Sequence, residues 1–188
     1  MGSPLADAAR ALARGELVVY PTDTLLGMAA LGSDAAAVAR LEEVKGRPGG
    51  PPISLALSSV DELETWAELA PASRAWVRRH LPGPYTLLVV PTTRARRTFP
   101  PSVLPPRGRL GLRVPDHPIA RELARRVGPI TATSANLHGY SPCRTARAAR
   151  RTFGESVAVY VPGGPSPSGR PSLLVDVTQD RPRLVPRR

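Results

Sequence analysis

The sequence is short of aromatic residues, of cysteine, of histidine and, among its cations, of lysine. Aromatics make up 4% of the 188 residues, which leaves few platforms on which single-stranded bases stack. The lone Cys143 cannot close an internal disulfide and suits a reducing compartment. His80, His117 and His138 lack the spacing of a metal-ligand cluster, so no structural metal is expected. No apolar run approaches the roughly 20 residues that span a bilayer. The opening MGSPLADAARALARGE reads as a charged helix without the apolar centre of a secretory signal. These absences point to a soluble, cytoplasmic protein with no membrane partner.

What is present is a hydrophobic content of 41%, enough for one sizeable core, and a single domain over residues 1–188 is expected. The net charge of +11 points to anionic partners, either nucleic acid or phosphorylated small molecules. The arginines in RAWVRRH, RARR, RELARR and RTARAARR fall mostly on expected helices, where a solvated face explains them better than a binding stripe. Of 26 Lys+Arg residues only Lys45 is a lysine. In a chain that otherwise uses arginine, that exception is informative.

Short apolar runs bounded by Gly, Pro or Asp read as strands at 16–20, 53–57, 86–91, 109–115, 129–134, 156–162 and 172–177. Helical patterns lie between them: SDAAAVARLEEVK from a Ser33 cap to Gly46, SVDELETWAELA with the capping-box spacing of Ser59 and Glu62, and DHPIARELARRVG from Asp116 to Gly128. The alternation implies an α/β fold, an open twisted mixed β-sheet flanked by helices. The Pro-rich pieces PPSVLPPRGR and PGGPSPSGRPS are too short to link domains.

Ligands of open α/β sheets bind near strand ends, and four such places carry polar residues. PTDT follows the first strand with Thr22, Asp23 and Thr24, which also suits a simple turn. Lys45 ends a helix, where its charge suits the macrodipole, and Arg47 follows in a Pro/Gly loop that no packing need explains. Arg113 stands inside the apolar strand GLRVP, where a buried arginine requires a partner, and an anionic ligand is one candidate. TATSANLHG offers Ser134 and Asn136 as hydrogen-bond donors, with Ala135 and Gly139 leaving the backbone approachable, or else forms an Asn-stabilised turn.

Taken together, VVYPTDTLLGMAA, KGRP, LPGPYTLLV, GLRVPDHP, TATSAN and PGGPSPSGRPSLLVD resemble, in order and spacing, the YrdC family of threonylcarbamoyl-AMP synthases, from about residue 8 to 180. The most specific part is Lys-x-Arg followed far downstream by Ser-x-Asn: Lys45 and Arg47, then Ser134 and Asn136. The second, C-terminal domain of longer members is missing, so the short form is expected. The resemblance implies a YrdC-like sheet with a concave face of the kind that binds double-stranded RNA.

It also implies a nucleotidyltransferase reaction. L-threonine, bicarbonate and ATP, with Mg2+, give threonylcarbamoyl-AMP and pyrophosphate, the activated donor for t6A at position 37 of tRNA. Possible partners are tRNA or double-stranded RNA and the tRNA threonylcarbamoyl transferase complex. By the family pattern Lys45 and Arg47 are catalytic and bind ATP together with Arg113, Ser134 and Asn136, while Thr24, Arg113 and Ser172 serve threonine. The chain departs from the pattern at Leu26, Pro51 and Leu173, which bears on substrate choice. Two alternatives stay open: a related enzyme making a carbamoyl-adenylate for another acceptor, and a non-catalytic RNA-binding protein.

Overall fold

A computed structural model describes residues 3–163 and 168–186, so part of the Pro-rich stretch 162–172 lies outside the described residues. In chain order the elements are α1 (Pro4–Ala13), β1 (Val18–Tyr20), β2 (Gly27–Ala29), α2 (Ala35–Val44), β3 (Leu55–Ala56), α3 (Leu63–Trp66), β4 (Ala67–Glu68), α4 (Pro71–His80) and β5 (Tyr85–Pro91). They continue with α5 (Thr93–Thr98), β6 (Leu110–Arg113), α6 (Pro118–Val127), β7 (Ile130–Thr131), β8 (Thr133–Ser134), α7 (Ala146–Phe153), β9 (Val159–Tyr160), β10 (Leu173–Asp176) and β11 (Arg183–Val185). The fold is mixed α/β, as expected. Among the described residues the strands divide between two sheets, one of four strands in the order β8-β2-β1-β9 and one of seven in the order β11-β10-β5-β6-β3-β7, with β4 beside β5. Parallel and antiparallel pairs occur in both.

Strand alternation decides which side chains face the core. Register pairs Leu87 with Leu112 and with Val175, and Leu55 with Leu112, so these residues share the buried face of the larger sheet. The opposite face carries Leu88, Gly111, Arg113 and Leu174. Arg113 therefore stands on an apolar strand without entering the main core.

The run expected as one strand over 129–134 is two. β7 pairs with β3 in the larger sheet and β8 pairs with β2 in the smaller one. Between them the Ala132 N–H donates to the Ser54 carbonyl at 2.7 Å. The segment thus passes from one sheet to the other, and a cleft opens along the crossing.

Helix ends follow local chemistry. α2 is capped by Asp34 rather than Ser33: its Oδ1 accepts from the N–H groups of Ala36 and Ala37, both at 3.0 Å, where a carboxylate suits the positive helix end. α6 opens at His117 rather than Asp116, with Pro118 preset for the first turn, and closes at Gly128 with φ 92°. The helix expected over 59–70 is the single turn α3. Ala67 is extended and β4 pairs with the end of β5, so sheet pairing overrides the helical pattern. Half of the expected capping box forms: the Glu62 N–H donates to Ser59 Oγ at 3.3 Å, while the Glu62 carboxylate accepts from the N–H and hydroxyl of Ser58 rather than from the Ser59 N–H. No helix among the described residues is long and apolar enough to cross a membrane.

Candidate active site

The cleft between the sheets has a volume of about 730 Å³, within the range that holds a nucleotide-sized ligand. Thr24, Arg47, Arg113, Ser134 and Ser172 line it. Lys45 and Asn136 lie behind its wall.

Lys45 caps α2, after which Gly46 turns the chain with φ 69° and the Arg47 N–H bonds back to the Glu42 carbonyl at 3.0 Å. The Lys45 side chain is buried, and its ammonium donates to the carbonyls of Ser134 and of Asn136, the latter at 2.8 Å. The Lys45 carbonyl in turn accepts from the His138 N–H at 2.8 Å. The two halves of the Lys-x-Arg and Ser-x-Asn pattern are thereby one hydrogen-bonded unit. No carboxylate among the described residues pairs with this ammonium. Burial, and next the neighbouring Arg47 charge, lower its pKa to about 8.

The Ser134–Asn136 segment is the Asn-stabilised turn. The Ser134 hydroxyl donates to Asn136 Oδ1 at 2.5 Å, and Asn136 Nδ2 donates to the carbonyls of Leu137 and Tyr140 at 2.8 and 2.9 Å. The donors that the sequence offered to a ligand are spent on shaping the turn. Arg47 is held less closely: its nearest acceptor is the Pro51 carbonyl at 3.5 Å, and its Nε has no partner among the described residues. Its guanidinium is therefore available to an anion in the cleft.

The other end of the cleft is an ion pair. Arg113 donates to Asp23 Oδ1 at 2.6 Å and to Thr24 Oγ1 at 2.9 Å, so this buried arginine has a resident counter-ion in Asp23. The Ser172 hydroxyl lies 2.7 Å from that of Thr86. Elsewhere on the cleft wall the ring of Tyr20 packs against Gly27, where an added Cβ would stand 2.7 Å from Tyr20 Cε1. Burial raises the Tyr20 pKa, and its hydroxyl donates to the Thr131 carbonyl at 3.1 Å. The sequence presented Asp23 as a carboxylate at a strand end or as part of a simple turn, not as a partner of Arg113. Its pairing with a residue ninety positions away has no local signal.

The family model Sua5/YciO/YrdC, described as telomere recombination, matches residues 10–188. The chain belongs to this family. A family member from Chromohalobacter salexigens, a threonylcarbamoyl-AMP synthase, is 37% identical over 92% of this chain and 92% of its own length. The Bacillus subtilis threonylcarbamoyl-AMP synthase is 34% identical over 96% of this chain and 52% of its own length. Sua5 of P. abyssi, in a crystal structure with L-threonine, superposes with a TM-score of 0.86 at 30% identity, covering 96% of this chain and 52% of that one. The chain thus spans about half the length of the latter two relatives. Its homologues are enzymes of the transferase class that serve tRNA modification.

The departures from the family pattern fall in different places. Pro51 lines the cleft. Leu26 is buried and lines a neighbouring recess of about 250 Å³ with Cys143 and Arg144, not the cleft. Leu173 is exposed on β10.

Proposed function

We propose that this chain is an L-threonylcarbamoyladenylate synthase that joins L-threonine, bicarbonate and ATP into threonylcarbamoyl-AMP, with release of pyrophosphate and of the water lost when bicarbonate condenses with the threonine amine. The observation that carries this reading is the buried Lys45 ammonium bound to the carbonyls of Ser134 and Asn136, with the loosely held Arg47 two residues on along the cleft wall. N-carboxythreonine must bring a carbamate oxygen to the α-phosphorus of ATP. The new O–P bond forms as pyrophosphate leaves with its bonding electron pair, so two anions meet and a third departs. Fixed positive charge along the cleft offsets that repulsion.

In this reading Arg47 and Lys45 serve the phosphates, as do Ser134 and Asn136 through the turn they build. Arg113, Thr24 and Ser172 form the threonine end, with Arg113 toward the carboxylate; the ATP contact that the resemblance also implies for Arg113 is not part of this reading, because its Nη1 and Nη2 are held by Thr24 and Asp23 of the PTDT loop. Magnesium arrives on the phosphate oxygens as part of the nucleotide substrate. No three His, Cys, Asp or Glu side chains gather into a metal site among the described residues. The product then passes to a tRNA threonylcarbamoyl transferase, with tRNA as final acceptor.

The test is pyrophosphate release by the purified protein with ATP, magnesium and bicarbonate, adding each common amino acid in turn. Threonine-dependent release is expected, falling by about 10²–10³ in Lys45→Arg, which keeps the charge and changes its shape. ATP binding without release for any amino acid would overturn the assignment in favour of a carbamoyl-adenylate for another acceptor or of RNA binding.

A further inference from the structure

The PTDT loop contains a carboxylate with no part in the chemistry above. Asp23 does not line the cleft, whereas Arg113 does. Their side chains are 10% and 8% exposed, and Asp23 Oδ1 receives Arg113 Nη2 at 2.6 Å. The next residue, Thr24, receives Nη1 at 2.9 Å. Consecutive residues of one loop thus grip two different nitrogens of a planar fork, which fixes its rotation as well as its place.

The grip is itself braced. The Thr24 N–H donates to Thr22 Oγ1 at 3.1 Å, and Thr22 Oγ1 donates to the Leu25 carbonyl at 2.6 Å. Burying an unpaired guanidinium on an apolar strand is unfavourable. A resident counter-ion allows Arg113 to hold its position before any substrate arrives.

We propose that Asp23 is a positioning residue for the threonine end of the cleft: it holds the Arg113 guanidinium in the orientation that receives the amino-acid carboxylate, and never touches the substrate itself. The proposal rests on the threonine reading given above for Arg113. Preorganisation of this kind appears in amino-acid binding and leaves nucleotide binding at the far end unchanged.

The experiment compares wild type, Asp23→Ala, Asp23→Asn, Arg113→Ala and the Asp23→Ala/Arg113→Ala double variant. Asp23→Ala is expected to raise the threonine KM about tenfold or more, with the Kd for MgATP within about twofold. Asp23→Asn keeps an oxygen acceptor but not the counter-charge and recovers part of the loss, and the double variant is no worse than Arg113→Ala. The Arg113 Nε–H resonance, assigned by its disappearance in Arg113→Ala, should be sharp in wild type and shifted or broadened in Asp23→Ala.

An unchanged threonine KM, equal losses for threonine and ATP, or additive losses in the double variant would overturn the proposal. If Asp23→Ala does not fold, Asp23→Asn carries the test with a smaller rise in threonine KM and unchanged ATP binding, and no rise sinks it. If wild type shows no threonine-dependent release, the synthase reading fails by itself. The resonance then still decides: unmoved in Asp23→Asn and Asp23→Ala, it refutes the claim that Asp23 holds Arg113.

Discussion

Raising the pH should weaken ATP binding through one group. In the free protein Lys45 has a pKa of about 8 against an ordinary 10.5, because burial disfavours the ammonium and Arg47 adds to the effect. The ammonium is then about nine-tenths populated at pH 7 and about one-tenth at pH 9. If the nucleotide requires that charge, its Kd rises about tenfold across those two pH units. Binding works in the opposite sense on the group: nearby phosphates raise the Lys45 pKa, so the complex takes up a proton near pH 8–9 and its turnover loses the charge at higher pH than the free protein does.

The assay is calorimetric titration of MgATP without threonine, from pH 6.5 to 9.5, so that ionisation of the amino-acid amine does not enter. Lys45→Arg is run beside it. Arginine stays charged throughout, and dividing one profile by the other removes whatever the nucleotide and magnesium contribute. A flat wild-type profile to pH 9.5, or the same limb in Lys45→Arg, would refute the reasoning. For the fold the sign is fixed by the same shift. A base whose folded pKa lies below its unfolded one destabilises the native state fully below pH 8, and the penalty fades as pH rises from 8 toward 10.5.

Two further outcomes separate binding from folding. Arg47→Ala removes a side chain with one long hydrogen bond, so thermal unfolding should change by less than about 0.5 kcal/mol, while the MgATP Kd rises at least about tenfold; a large loss of stability with unchanged affinity would show that Arg47 is structural. Gly27→Ala drives a Cβ to 2.7 Å from the Tyr20 ring, which is fully buried, and should destabilise by about 1–3 kcal/mol in thermal or urea unfolding; an unchanged midpoint would mean the ring has room to move.

Much of the fold was legible because strand period and helix caps are local. The strand at 86–91 corresponds to β5 within a residue, and the helices ending at Gly46 and Gly128 end where a glycine with positive φ turns the chain. What escaped was set by distant partners. Nothing in 129–134 says that Thr131 and Thr133 belong to different sheets, because the break at Ala132 is imposed by Ser54. The turn from α3 into β4 needs Val90 and Pro91. At the site, the residue types of Lys45, Arg47, Ser134 and Asn136 were visible, but their arrangement was not: two line the cleft and two brace it from behind. Arg113 was marked by its odd place on an apolar strand, and the sequence could not say that Asp23 answers it.

The charge around the cleft differs in kind from the +11 carried by the whole chain. Much of that excess is arginine on α4 to α7, including Arg78, Arg79, Arg96, Arg97, Arg125, Arg126, Arg150 and Arg151 in the last turns, where it suits the helix C-termini. Of the three cations at the site, Arg113 is neutralised by Asp23, Lys45 is enclosed by carbonyls with its charge weakened by burial, and Arg47 alone faces the cleft without an acid partner. An arginine in place of Lys45 would keep its charge but bring a planar fork of five donors to a site shaped for two carbonyl contacts. It would also abolish the titration near pH 8 that lets an arriving phosphate restore the charge. A chain that uses arginine at every other cationic position keeps lysine where a compact, desolvated and titratable ammonium is required.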